Sequence, residues 1–239
     1  MSTARSSEPR TYNHSRFEGR RKVLRWLIHE IGYRLLAKLG RAENVDNLPA
    51  SGSAIVIFNH IAFIDPIVVL SVLPRNVIPL ARHDVFAIPG WGIFPRLWDV
   101  IPVRRDEVDR QALRKALAVL EAGEVLLVAP EGTRHPSLQS AKAGLAYLAI
   151  KSGAPIVPVA IDGTEGYPTL IVGKHDLAPV NIRVGRPFKY RELKGQRDRD
   201  RLRKMTDEAM YVLAGMLPRE RRGVYSDLSR ATTDTIEML

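Results

Sequence analysis

Six apolar runs separated by amphipathic stretches constrain the fold of this 239-residue chain more than any other feature. They are residues 54–58, 76–81, 100–103, 124–129, 155–161 and 180–185, each short, continuous and rich in Val, Ile or Leu, as buried strands are. The 3.6-residue period predicts helices over 66–73, 107–122, 139–152 and 197–216, with Gly123 and Gly153 where helix C-caps belong. Apolar strands alternating with helices must be covered on both faces, which is the α/β solution. The expected fold is therefore α/β: a single domain with a mixed, mostly parallel sheet flanked by helices and an N-terminal amphipathic helix. No internal repeat, low-complexity tract or linker divides the chain, and its length suits one full core.

The ends differ from the body. Residues 1–19 are polar and are expected to form a disordered tail, and 226–239 a C-terminal tail. Over residues 20–41 a helical stripe of Leu24, Ile28, Ile31, Leu35 and Leu39 runs between Arg20, Arg21, Lys22, Arg25, Arg34 and Lys38, with Trp26 and Tyr33 nearby. Cations and amphipathic aromatics beside an apolar stripe describe a helix lying in a membrane surface. A helix packed on its own domain with a solvated basic face fits as well.

The net charge is +10 and unevenly placed: residues 1–41 carry ten Lys/Arg against three Asp/Glu, and 183–222 thirteen against six. The remainder is mildly acidic, a distribution suited to an anionic surface as partner. No signal peptide is expected. The apolar stretch 52–73 is interrupted by Asn59, His60, Asp65 and Pro66, so it does not read as a membrane span. Without Cys there is no thiolate nucleophile, disulfide or Cys-bound metal.

The first apolar run exits into Asn59-His-Ile-Ala-Phe-Ile-Asp65-Pro66. Residues five apart on one helix point about 140° away from each other, so a continuous helix keeps His60 and Asp65 apart. Asp65-Pro66 reads instead as a helix start, Asp at the N-cap and Pro at the first position, with 61–64 as a turn folding back. That turn lets the Asp65 carboxylate meet Nδ1–H of His60 and leaves Nε2 as a base. An ordinary capping Asp and a loop His satisfied by backbone remain the alternative on these residues alone. Six His and thirteen Asp give roughly 0.3 pairs at this spacing by chance, so context has to carry the motif.

Open α/β sheets bind ligands beyond the carboxyl ends of their strands. The polar groups leaving successive strands are Asn59-His60, Arg82-His83-Asp84, Arg104-Arg105, Glu131-Gly132-Thr133-Arg134 and Asp162-Gly-Thr164. Parallel neighbours would gather them on one rim: a candidate base, several arginines suited to phosphate, and backbone N–H groups near Gly132 suited to an anion. The chemistry this suggests is a base acting on a phosphate-bearing alcohol.

With these residues in place, the chain resembles the glycerolipid acyltransferase family, which includes the 1-acylglycerol-3-phosphate (lysophosphatidate) acyltransferases. The resemblance covers roughly residues 45–225. Asn59-His60-x4-Asp65 matches the family's catalytic block, and Pro89-Gly-Trp-Gly92 through Ile101-Pro-Val-Arg104 its second. Pro130-Glu-Gly-Thr-Arg134 matches the third and Ile156-Val-Pro-Val-Ala160 the fourth. Lys142-Ala-Gly144 and the ending Leu217-Pro-Arg-Glu-Arg-Arg-Gly-Val-Tyr225 are also similar to family segments. Ala129 and Ala141 stand where the family often has Phe.

The resemblance implies an acyltransferase domain over 42–225. His60 would deprotonate the free hydroxyl of 1-acylglycerol 3-phosphate, with Asp65 orienting it. The donor would be acyl-CoA or acyl-carrier protein and the product phosphatidate. Arg104, Glu131, Gly132, Thr133 and Arg134 would form the phosphate site, with Arg82, Arg105 and Lys142 as further candidates. No cofactor, metal or covalent acyl-enzyme is implied, and no Gly-x-Ser-x-Gly elbow is present. The expected place is the cytoplasmic face of a membrane, as a peripheral protein. Another lysolipid or glycerol 3-phosphate is the alternative acceptor. A non-catalytic protein binding anionic membrane or nucleic acid is the remote alternative, and the basic ends contain no nucleic-acid recognition pattern.

Overall fold

In a computed structural model of the chain, which describes residues 15–32, 37–90, 92–104, 109–169, 176–191 and 199–239, the apolar runs are strands of one sheet. The chain enters through helix α1 (Ser15–Leu27), a π-turn (Ile28–Gly32) and strand β1 (Leu39–Glu43). β2 (Ala54–Phe58), helix α2 (Asp65–Val72), β3 (Val77–Arg82), α3 (Ile93–Trp98) and β4 (Ile101–Val103) follow. Then come α4 (Arg110–Glu121), β5 (Val125–Val128), α5 (Gly144–Ser152) and β6 (Ile156–Asp162). β7 (Val180–Val184), β8 (Phe188–Tyr190), α6 (Arg199–Met216) and β9 (Ile236–Met238) complete the described α-helices and strands.

The strand order is β1-β7-β6-β2-β5-β3-β4, with β8 beside β6 and β9 beside β8. From β6 through β2, β5 and β3 to β4 every pairing is parallel, while β7 and β8 run antiparallel to β6. This is the mixed, mostly parallel sheet that the sequence predicts. Strand side chains alternate between faces, so β2 builds both halves of the core. Ile55 and Ile57 pack with Ala112 and Ala116 of α4, Leu145 of α5 and Leu213 of α6. Ala54, Val56 and Phe58 face the other way, toward Val68 and Val69 of α2, Trp98 of α3 and Leu24 of α1. All five β2 residues are buried, and full burial of each large side chain is worth about 1.5–3 kcal/mol.

The N-terminal expectations need correction. The helix begins at Ser15, inside the stretch expected to be a tail, and gives way to the π-turn at Ile28. Leu39 belongs to β1, paired with Val180 of β7, because an open strand edge satisfies its backbone there. Tyr33 and Leu35 lie outside the described residues. Helix α1 packs on the domain through Arg21, which is fully buried: its Nε donates to Trp98 O at 2.9 Å and its guanidinium lies 3.6 Å from Asp99. Residues 226–239, expected as a tail, carry β9, whose Ile236 is buried opposite Tyr190.

Candidate active site

The parallel run of strands brings their carboxyl ends to one edge. At β2, Asn59 extends the ladder one residue past the strand: its buried amide donates to Ile161 O and accepts from Ile161 N, both at 2.8 Å. His60 therefore leaves β2 in a fixed direction, and the chain folds back on it. Asp65 Oδ2 accepts from Ile61 N at 2.6 Å, Ala62 N at 2.8 Å and His60 Nδ1 at 2.9 Å. The predicted N-cap role of Asp65 is not what is found. Ile64 is the cap residue of α2, and the carboxylate points back into the loop, where two N–H groups and the imidazole await an acceptor. The predicted His60–Asp65 contact is present. With Nδ1–H held by the carboxylate, the lone pair is on Nε2.

The loop after β5 closes on the same spot. His135 N donates to His60 O at 2.8 Å, and Lys142 N donates to Pro130 O at 3.0 Å. Glu131, only 4 % exposed, lies beneath it and accepts from Gln139 N at 2.7 Å and His60 N at 3.4 Å. Burial pushes the Glu131 carboxyl up to about 7, against the opposing pull of those two N–H donors. Gly132 turns at φ +69°, a conformation that favours glycine, and the Lys142 chain crosses it at ordinary contact distance. Arg134 does not pair with Glu131. Its guanidinium lies 5.9 Å from the centre of the Phe63 ring, a cation–π distance that keeps the charge available.

Between these loops and β3 and β4 opens a cavity of about 720 Å³, within the ~300–1,000 Å³ usual for ligand sites. Its polar wall holds His60, Arg82, Arg104, Gly132, Arg134 and Lys142. Its body is apolar, lined by Ile67 and Leu70 of α2, Phe94 of α3, Leu113 of α4 and Leu148 of α5. The imidazole of His60 is 16 % exposed and forms part of this wall. Such a site can bind an anionic group beside a base while a hydrocarbon chain is kept from water.

A family model described as Acyltransferase matches residues 41–162, half of the chain. The chain belongs to the acyltransferase family. It is 30% identical over 126 residues to a 1-acyl-sn-glycerol-3-phosphate acyltransferase of Borreliella burgdorferi, a match covering 51% of this chain and 50% of that one. It is 26% identical over 169 residues to a Bacillus subtilis protein of the same name, covering 70% and 82%. The crystal structure of the 1-acyl-sn-glycerophosphate (LPA) acyltransferase PlsC from Thermotoga maritima superposes with a TM-score of 0.60 at 26% identity, over 90% of this chain and 83% of that one.

Within this family architecture the expected residues divide. Arg104, Gly132 and Arg134 are on the cavity wall with His60, as are Arg82 and Lys142. Arg82 is engaged: its Nε donates to Asp84 Oδ1 at 2.8 Å. Glu131 and Thr133 are not on the wall; Glu131 is turned inward and braces the loop. Arg105 and Trp91 lie outside the described residues. Trp98 is core, its Nε1 donating to Val77 O at 2.8 Å.

Three site-building residues escaped the sequence reading: Asn59 as a staple, Gln139 as the Glu131 donor, and Asp109. The last caps α4 through Gln111 N and Ala112 N and also accepts from Arg104 N at 3.0 Å. Those hydrogen bonds, Arg104's foremost, hold the Asp109 carboxyl below its usual range. An Asp before a helical run is the available signal, and a helix beginning at 107 starts three residues too early to use it.

Proposed function

We propose that this acyltransferase moves a fatty acyl group from an acyl thioester, acyl-CoA or acyl-carrier protein, to the free hydroxyl of 1-acylglycerol 3-phosphate, giving phosphatidate. The observation that carries this reading is the 2.9 Å contact of His60 Nδ1 with Asp65 on the wall of a cavity that is cationic at one end and apolar within. His60 Nε2 takes the hydroxyl proton as the oxygen attacks the thioester carbonyl. Asp65 stabilises the imidazolium. The tetrahedral adduct then collapses, the C–S bond breaks, and the proton passes from Nε2 to the departing thiolate. Arg134, Arg104 and Lys142 receive the phosphate, the Gly132 N–H being spent on Ala129 O at 3.0 Å within the turn, and the apolar body takes hydrocarbon.

The enzyme works as a peripheral protein on the cytoplasmic leaflet of an anionic membrane. Helix α1 is pinned to the domain yet exposes Val23, Trp26 and Leu27 beside Arg20 and Lys22, and each well-placed cation adds about 1 kcal/mol of attraction to such a surface. Among the described residues no helix is long and apolar enough to cross a membrane. Replacing Val23, Trp26 and Leu27 together by Ser is expected to weaken co-sedimentation with anionic vesicles, and undiminished sedimentation would remove α1 as the contact.

A second acceptor class is a lysolipid whose head group carries an amine; the two carboxylates on the cavity wall, Asp84 and Asp109, would have to give up Arg82 and the start of α4 to receive it. Transfer from labelled long-chain acyl-CoA to 1-acylglycerol 3-phosphate, glycerol 3-phosphate, lysophosphatidylcholine and a lyso-aminolipid decides between them. Preference for the first, lost by roughly 10²–10⁴-fold in His60→Ala, is the expected result. Preference for the lyso-aminolipid would keep the mechanism and replace the acceptor. Retention of more than a few per cent of the rate in His60→Ala would dismiss His60 as the base.

A further inference from the structure

In the sheet β2 lies between β5 and β6, so the loops leaving those two strands bracket His60. The segment that follows α6 joins them. Arg221 Nε donates to Asp162 Oδ1 at 3.1 Å, at the end of β6, and the same guanidinium pairs with Glu165 in the following turn. Its third nitrogen donates to Pro136 O at 3.1 Å, in the loop after β5. One planar fork thus spans both loops.

The backbone around Arg221 adds to the bridge. Leu138 N donates to Arg221 O at 2.8 Å and Val224 N donates to Leu138 O at 3.1 Å, so both polar groups of Leu138 are taken by this segment. Tyr225 Oη accepts from Ala141 N at 3.3 Å and donates to Asp207 at 2.9 Å. Gly223, at φ +50°, permits the approach, since a Cβ there would lie 2.0 Å from Leu138 O. Residues 219–225 are a strap fastened at 136, 138 and 141 on one loop and at 162 and 165 on the other.

The strapped loop is the one that carries Arg134 and whose His135 N–H holds His60 O. We propose that Arg221 is a positioning residue for acyl transfer: through this strap it fixes the distance between Arg134 and His60, and so the place of the acceptor's phosphate relative to its hydroxyl. The proposal rests on the acyl-transfer reading above. Its carboxylate partners are about half exposed, so Arg221 matters for geometry rather than for Coulombic energy, which surface water screens. Geometry is enough, because a misplacement of about 1 Å can cost as much as 10²-fold in rate.

The test uses the full chain as wild type, Arg221→Ala and Arg221→Lys, with KM measured for each substrate and amide hydrogen exchange followed by peptide. In Arg221→Ala, exchange is expected to quicken in peptides spanning 134–142 and 163–166 while the rest of the sheet is unchanged. KM for 1-acylglycerol 3-phosphate is expected to rise about tenfold with KM for acyl-CoA unmoved. Arg221→Lys should recover part of this, since an ammonium keeps the charge but lacks the planar fork that reaches three acceptors. Unchanged exchange in 134–142, an unchanged acceptor KM, or equal changes for donor and acceptor would each overturn the proposal. A wild type inactive toward 1-acylglycerol 3-phosphate would instead sink the acceptor assignment, and the same comparison would run on whichever acceptor of the panel is used.

Discussion

Residues 60–65 and residues 130–142 both leave parallel strands that are neighbours in the sheet, and both build the candidate active site, yet they are held by opposite means. The first loop is closed on itself: the three donors to Asp65 Oδ2 are five, four and three residues away. The second is held from a distance. Its ties reach to His60, 71 residues off, to Arg221, 85 residues off, and to Tyr225, 84 residues off. A local loop can be rebuilt by its own sequence, whereas a remote one is only as well placed as the rest of the fold allows. The base therefore belongs to the self-sufficient loop, and Arg134 to the dependent one.

The sharpest way to break this contrast is Asp65→Asn. The amide nearly preserves volume but removes the charge and offers His60 the wrong partner on one of its two faces. Activity at saturating substrate is expected to fall by on the order of 10²-fold or more, while far-ultraviolet circular dichroism stays that of the wild type. A variant that keeps most of its kcat would mean that the imidazole is oriented by something other than this loop.

A smaller effect separates the second loop through pH. Folding raises the Glu131 carboxyl from 4.5 to about 7 because the site is buried. The folded chain thus holds this proton more tightly than the unfolded one. The stability it contributes is present below about pH 4.5, declines as pH rises, and is gone above about pH 7, a span of up to about 3 kcal/mol. Glu131→Gln has nothing to titrate there, so its urea midpoint should change less between pH 5 and pH 8 than the wild type's. Parallel pH profiles in the two proteins would assign the titration elsewhere.

The same local-versus-remote distinction explains what the sequence made legible. β2 was readable to the residue, since five consecutive buried apolar side chains announce a covered strand, and α2 to within one residue from Asp65-Pro66. The His60–Asp65 contact was legible because its geometry is a matter of six residues. The α5 start was read five residues early, at 139, because residues 139–143 look helical alone but are drawn into the loop by Glu131 and Pro130. β1, with Gly, Arg and Glu among its five residues, has little strand preference of its own and exists by pairing with β7. β8 and β9, three residues each, likewise exist as partners of other strands. The inward turn of Glu131 was invisible for the same reason: nothing near it in sequence marks it as buried.

The central position of β2 has a consequence for the order in which the chain is made. β2 is synthesised early, but its partners are residues 125–128 on one side and 156–159 on the other. At ~5–20 residues per second, a ribosome needs roughly 5 to 20 s to travel from Phe58 to Val159. For roughly the first 4 to 14 s, until residue 128 is made, five consecutive apolar residues have neither neighbour, and until residue 159 they lack the second. The strand that anchors the chemistry thus spends its first seconds as an unpaired apolar segment, the kind of surface that a chaperone shields.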